Sequence, residues 1–147
     1  MADWKPLAIQ RLKSYETRKI SLEQIKEQLN ALDMQFTAIR AAKTDGEPIS
    51  GTMSNRREEM MVDNIQKREE LKANYKIAKR EIEVTEKGLA ALTKEERRIL
   101  ELFFILRPYD QVGQLCGELK VEKSEVYRRK DSALRKFTMA CYGVVDV

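Results

Sequence analysis

The sequence predicts an all-α protein, in which a long antiparallel helical hairpin is followed by a C-terminal helical bundle. Only 3 Pro and 6 Gly occur in 147 residues, and 35% of the residues are charged. Scarce helix breakers and a bias towards Glu, Lys, Leu, Ala and Arg are typical of long helices. Apolar residues in the first forty positions recur at steps of three and four with one interruption, which is a helical period.

The first helix is predicted to run from near Trp4 to Ala42. Its coiled-coil seam is interrupted once, at Lys19, and consists of Leu12, Tyr15, Lys19, Leu22, Ile25, Leu29, Leu32, Phe36 and Ile39. A single helix of this length with one apolar stripe needs a partner to cover that stripe.

A loop is predicted over residues 43–53, because the stretch KTDGEPISGT contains Asp-Gly, a Pro and a second Gly. A second helix then runs from Ser54 or Asn55 to about Gly88. Its apolar positions are less regular: Met61, Ile65, Leu71, Tyr75, Ala78, Ile82 and Leu89. Because a short loop joins antiparallel neighbours, the hairpin is favoured, and a parallel dimer through the first helix is the alternative.

A third helix is predicted to begin at Thr93, because Thr93 and Glu96 have the spacing of a capping box. The run ILELFFIL, residues 99–106, is apolar almost all the way round and therefore predicts burial on more than one side. The helix should end at Arg107, because the residue before a proline is disfavoured in the α region.

The C-terminal segment predicts two further helices joined by a tight turn. The first has Asp110 as a candidate N-cap, and the turn contains Val121. The inward positions are Val112, Leu115, Cys116 and Leu119 on the first helix and Val126, Ala133, Leu134 and Phe137 on the second. This arrangement is a helix-turn-helix bundle, whose last helix can enter the major groove of DNA. The predicted domains are residues 1–90 and 91–147, the latter ending in a short apolar tail.

Positive charge is concentrated on the last helix, since residues 123–136 carry six basic and two acidic side chains in a chain of net charge +4. The side opposite the inward residues carries the candidates for contacts with base edges: Lys123, Ser124, Tyr127 and Arg128. The candidates for phosphate contacts are Arg129, Ser132 and Arg135. The pattern favours double-stranded DNA as the partner.

The spacing of these residues resembles region 4 of bacterial sigma factors and the sigma-like regulators of phages. The positions that carry the resemblance are Leu92 to Arg97, Leu115-Cys116, Leu119, Lys120-Val121, Val126 and Ala133 to Phe137. Two departures are Lys120, where the family often has Gly, and Arg129, where primary sigma factors tend to have an apolar residue. The resemblance implies DNA-binding transcription regulation, with groove contacts from the four base-contact candidates and RNA polymerase as a further candidate partner.

A coiled coil followed by this module resembles the ArpU/RinA-type regulators of phage late genes in Gram-positive hosts. Two alternatives stay open. Phage small terminase subunits, which serve DNA packaging, also join a helix-turn-helix to oligomerising helices, and a coiled-coil adaptor would not bind DNA at all. The hairpin itself could brace the DNA-binding unit, form a homodimer or dock a foreign partner.

The composition argues against an enzyme, because histidine is absent and Cys116 and Cys141 stand 25 residues apart. Neither a Cys/His zinc site nor a Cys-His nucleophile can then be assembled, and no cofactor is predicted. No stretch reaches the apolar length of a membrane span, and the first residues lack the apolar core of a signal peptide. The expectation is a cytoplasmic protein without a membrane partner.

Overall fold

All regular secondary structure in the part of the chain that the structure describes is helical. The structure is a computed structural model that describes residues 3–42 and 51–147, in which no strand occurs. The helices are α1 Trp4–Lys13, α2 Tyr15–Ala41, α3 Gly51–Ala90, α4 Lys94–Leu100, α5 Gln111–Leu119 and α6 Lys123–Tyr142, and α4 continues as a π-helical segment, Glu101–Leu106. The predicted all-α class is confirmed.

The first helix was predicted to be continuous from near Trp4 to Ala42. In the structure a one-residue turn at Ser14 divides it into α1 and α2. The Ser14 hydroxyl donates to the carbonyl oxygens of Gln10 at 2.8 Å and Arg11 at 3.3 Å. A serine side chain that bonds to carbonyls of the preceding turn competes with the backbone ladder and commonly bends a helix. The seam residues on either side of the turn therefore belong to α1 and α2.

The second helix begins earlier than predicted. Residues 51–53, which were predicted to be loop, form the first turn of α3, and the helix ends at Ala90 rather than about Gly88. The remainder of the predicted loop, residues 43–50, lies outside the described residues. Glycine and threonine are tolerated at a helix N-terminus, where the first amides have no partner within the helix in any case.

Contacts between residues divide the chain into two compact units. One is Ile20–Lys79, and the other combines Met1–Lys19 with Arg80–Val147. The second unit therefore contains the ends of the hairpin helices as well as α4, α5 and α6. The division into domains 1–90 and 91–147 stays a prediction.

Within the unit Ile20–Lys79, helices α2 and α3 run antiparallel: Asp33 pairs with Arg68, whereas Gln35, farther along α2, bonds to Asn64, earlier on α3. In the unit Ile20–Lys79 the seam is partly polar. Asn64 is only 2% exposed, and its amide donates to the Leu32 carbonyl oxygen at 2.9 Å. A buried polar residue of this kind fixes the register of a coiled coil at a cost in stability.

The polar seam explains why the apolar spacing of α3 is irregular. Asn64 takes the inward position, and the neighbouring Ile65 is 43% exposed. One turn later the Arg68 guanidinium lies 4.6 Å from the centre of the Phe36 ring and pairs with Asp33 at 3.1 Å. Amide and guanidinium groups therefore occupy positions that an apolar repeat would assign to Leu or Ile.

The unit that holds α4, α5 and α6 has two apolar cores. The first consists of Ala8, Leu12, Leu89, Leu92, Leu100, Ala133, Leu134 and Phe137. The second consists of Ile99, Leu102, Phe103, Leu115 and Val126, with Val112, Cys116, Leu119 and Val121 packed against it. Phe104 of the π-helical segment packs against both cores. The predicted burial on more than one side is confirmed for residues 99–105, as are the inward positions of α5 and α6, whereas Leu106 at the end of the run is 58% exposed.

The chain ends of this unit pack together. The rings of Trp4 and Tyr142 lie 5.0 Å apart, and the Arg11 guanidinium donates to the Tyr142 hydroxyl at 3.2 Å. Beside them, burial raises the pKa of the Cys141 thiol to about 11. The end of α6 thus packs on α1, and the buried Cys141 thiol stays protonated near neutral pH.

Local hydrogen bonds set the helix starts that the sequence predicts. The Thr93 hydroxyl accepts from the Glu96 amide at 3.2 Å, and the Glu96 carboxylate accepts from the Thr93 amide at 3.0 Å. The Asp110 carboxylate accepts from the Gly113 amide at 3.2 Å. The π-helical segment ends at Leu106 before Arg107, whose φ of 49° is left-handed. The capping box, the Asp110 cap and the stop before Pro108 are confirmed.

Candidate nucleic-acid interface

The turn between α5 and α6 positions the basic helix. Lys120 ends α5 in the left-handed conformation, with φ 56° and ψ 47°. Leu115 of α5 and Val126 of α6 are both 0% exposed and meet in the second core, and Val121 of the turn packs against that core. Because both helices are anchored in one core, their packing holds Lys120 in a backbone conformation that glycine favours.

We expect Lys120→Gly to raise the free energy of unfolding by roughly 0.5–1 kcal/mol. The glycine removes the strain of a left-handed residue with a Cβ atom, and the greater conformational entropy that it gives the unfolded chain offsets part of this gain. Thermal melting measures the change. The control Lys120→Ala removes the same charge and keeps the Cβ, so its melting temperature should stay below that of the glycine variant. Equal melting temperatures for the two variants would contradict this account of the turn.

The four base-contact candidates share one exposed side of α6, near its N-terminus. Lys123, Ser124, Tyr127 and Arg128 are all exposed. The opposite side of the same helix is packed against the cores, since Val126, Ala133 and Phe137 are each 0% exposed. The structure thus places the predicted base readers together on an open face. Their contact with bases stays a prediction.

Tyr127 is exposed, but contacts with neighbouring side chains also orient its ring. Its ring lies 6.0 Å from the ring of Phe103 in the π-helical segment. The Lys130 ammonium is 5.3 Å from the centre of the Tyr127 ring and 5.2 Å from that of Phe103. Lys130 is one of the six basic residues of 123–136, and no DNA contact was predicted for it. Its ammonium makes cation–π contacts with this aromatic pair.

A carboxylate that the sequence analysis did not single out lies among the candidates. Glu125 accepts hydrogen bonds from Arg128, through Nε at 2.8 Å and through Nη2, and from Arg129 Nε at 2.9 Å. The bonds from Arg128 and Arg129 lower the pKa of Glu125 to about 2. The spacing of Glu125 to the two arginines, three and four residues, is the sequence signal that could have revealed the cluster.

The phosphate-contact candidates differ in how freely they can move. Arg129 is held between two carboxylates, because its Nη1 also donates to Glu95 of α4 at 2.5 Å. Ser132 is exposed. The Arg135 guanidinium is exposed, and its partner is the exposed carboxylate of Asp146 at 3.4 Å. Such an exposed pair is weak, so Arg135 is the arginine most easily transferred to a phosphate.

The described residues contain no group of three acidic or cysteine side chains placed to bind a metal ion. Among the helices of residues 3–42 and 51–147, none combines the length and apolar character needed to cross a membrane. No protein-family model, curated protein or solved structure matches this chain. Function is therefore inferred from the chain's own residues and from the geometry of α6.

Proposed function

We propose that this chain is a sequence-specific DNA-binding transcriptional regulator, similar in its C-terminal module to region 4 of sigma factors and in its architecture to the ArpU/RinA-type regulators of phages. The observation that carries the proposal is the exposed side of α6. There Lys123, Ser124, Tyr127 and Arg128 are presented next to one another by a helix whose other side carries buried apolar residues. Arg and Lys suit guanine, and Ser bonds to several bases, so the set can read the major groove.

The charge on α6 supports the same proposal. Beyond the base-contact candidates, Arg135 and Lys136 are exposed farther along the helix, and Lys136 pairs with Glu96 at 2.9 Å. Phosphate contacts from such side chains fix the orientation of a recognition helix without reading sequence. RNA polymerase as a protein partner is part of the proposal and follows from the resemblance. Cytoplasmic location is also part of the proposal and follows from the apolar pattern of the sequence.

A second candidate, a DNA-packaging component related to small terminase subunits, is favoured by one observation. On the unit Ile20–Lys79 the apolar side chains of Ile20, Met34 and Ile77 are more than half exposed, and exposed apolar side chains can serve oligomerisation. Mass measurement in solution separates the candidates. A closed ring of many chains supports packaging, and a monomer or dimer supports transcription regulation.

The proposal predicts salt-sensitive binding to a random-sequence duplex. For Arg135→Ala we expect the slope of log affinity against log salt to flatten by about one unit, because one phosphate contact no longer releases a counterion. Fluorescence anisotropy at several salt concentrations measures the slope. The control Lys76→Ala removes an exposed positive charge from the other unit and should leave the slope unchanged. Binding that is absent, or insensitive to salt, would contradict DNA binding and favour a coiled-coil adaptor.

A further inference from the structure

The Arg128 guanidinium is held along one edge by Glu125. A guanidinium has five N–H donors in a fixed planar fork. Glu125 accepts from the Nε edge of Arg128, which uses the Nε hydrogen and one Nη2 hydrogen. The end edge, with Nη1 and the other Nη2 hydrogen, has no partner among the described residues, and the side chain is 71% exposed. Two parallel free donors are what a bidentate contact with guanine O6 and N7 requires.

The carboxylate that holds Arg128 is itself fixed from a second direction. Glu125 Oε1 also accepts from Arg129 Nε at 2.9 Å, and Arg129 Nη1 donates to Glu95 at 2.5 Å. Glu95 belongs to the first turn of α4, so the chain of contacts ties the recognition helix to its neighbour. The Glu125 side chain is 29% exposed. Arg128 is thus paired with a carboxylate that is positioned before DNA arrives.

Building on the function proposed above, we propose that Glu125 is a specificity-determining positioning residue, which aims the free edge of Arg128 at a guanine in the major groove. On the cognate site the Glu125–Arg128 pair is kept, and the preset guanidinium pays less conformational entropy when it binds the base. On random DNA the carboxylate disfavours binding, because it competes with phosphates for both arginines and repels the backbone. The same residue therefore helps the right sequence and opposes wrong ones, which is how specificity arises.

The test compares wild type with Glu125→Gln on a duplex selected from a random pool and on a scrambled duplex. Because the glutamine cannot hold the guanidinium as an ion pair, we expect the ratio of selected to scrambled affinity to fall about tenfold, the scale of one bidentate base contact. Affinity for the scrambled duplex should rise, and its salt slope should steepen by about one unit as an arginine becomes free for phosphates. Base preference should relax at one position of the selected motif.

Two controls separate positioning from charge and from damage to the fold. Glu122→Gln removes the same charge three residues earlier. The Glu122 side chain makes no cap hydrogen bond and no ion pair within the described residues, so this variant should leave the affinity ratio unchanged. In an Arg128→Ala background, Glu125→Gln should lower the ratio no further, because the two residues act as one unit. Circular dichroism confirms that each variant is folded. Glu95→Gln weakens only the contact between Arg129 and Glu95, so it should give a smaller fall in the affinity ratio than Glu125→Gln.

The outcomes distinguish this inference from the proposed function. If wild type does not bind DNA, both fall. If wild type selects a motif and Glu125→Gln keeps the wild-type ratio, Glu125 has no positioning role and the DNA-binding function stands. An equal fall in the ratio for Glu122→Gln would overturn the inference too, since charge alone would explain it.

Discussion

Phe137→Ala is expected to lower the free energy of unfolding by about 3–5 kcal/mol, because it leaves a large cavity in the first core. Phe137 is 0% exposed. Its ring is closely confined: a Cβ atom at Gly88 of α3 would lie only 2.7 Å from Phe137 Cε2. Phe137 thus joins α6 to the last turns of α3, and its loss removes contacts on both helices.

Chemical denaturation followed by circular dichroism measures this change. The control is Tyr109→Ala, which removes an aromatic ring that is fully exposed and should change the free energy of unfolding by no more than about 0.5 kcal/mol. If Phe137→Ala costs no more than Tyr109→Ala, the ring does not hold α6 in place, and the packing described for the first core is wrong.

Arg128→Ala is expected to weaken binding to the selected duplex by roughly 1–3 kcal/mol, a loss of about fivefold to more than a hundredfold, and to relax base preference at one position. The physical reason is the bidentate edge, which matches guanine and no other base equally well. On a scrambled duplex the loss should be small, since Arg128 is paired with Glu125 in the free protein and contributes little to counterion release.

Titration of the selected and scrambled duplexes in parallel provides the measurement. Arg135→Ala is the matched comparison, because it removes an arginine from the same helix and should weaken both duplexes about equally. If Arg128→Ala also weakens both equally, Arg128 is a phosphate contact. In that case the assignment of base readers on α6 is wrong.

The sequence predicts those parts of the fold that local chemistry determines. The Thr93–Glu96 and Asp110–Gly113 bonds join residues three positions apart, so their signals lie within one turn of sequence. The buried side of α6 follows from helical periodicity in the same way. The left-handed backbone of Lys120 is different, because a lysine gives no local signal for a conformation that glycine favours.

Other features depend on residues that are distant in sequence. The bond between Arg11 and Tyr142 joins positions 131 residues apart, and no period in the sequence encodes it. Asn64 in the hairpin seam could not be predicted from hydropathy, because its burial depends on the Leu32 carbonyl of another helix. Glu125 was missed for a different reason. Its spacing to the arginines was visible, but a charged run on a helix is ordinarily a solvated surface.

The most direct test of the central claim is selection of bound sequences from a random DNA pool with the wild-type protein. The account predicts an enriched motif that contains a guanine whose preference disappears with Arg128→Ala, together with affinity that falls steeply with salt. A pool that emerges without an enriched motif, at salt concentrations where a positive-control regulator selects its own site, would contradict sequence-specific recognition by α6.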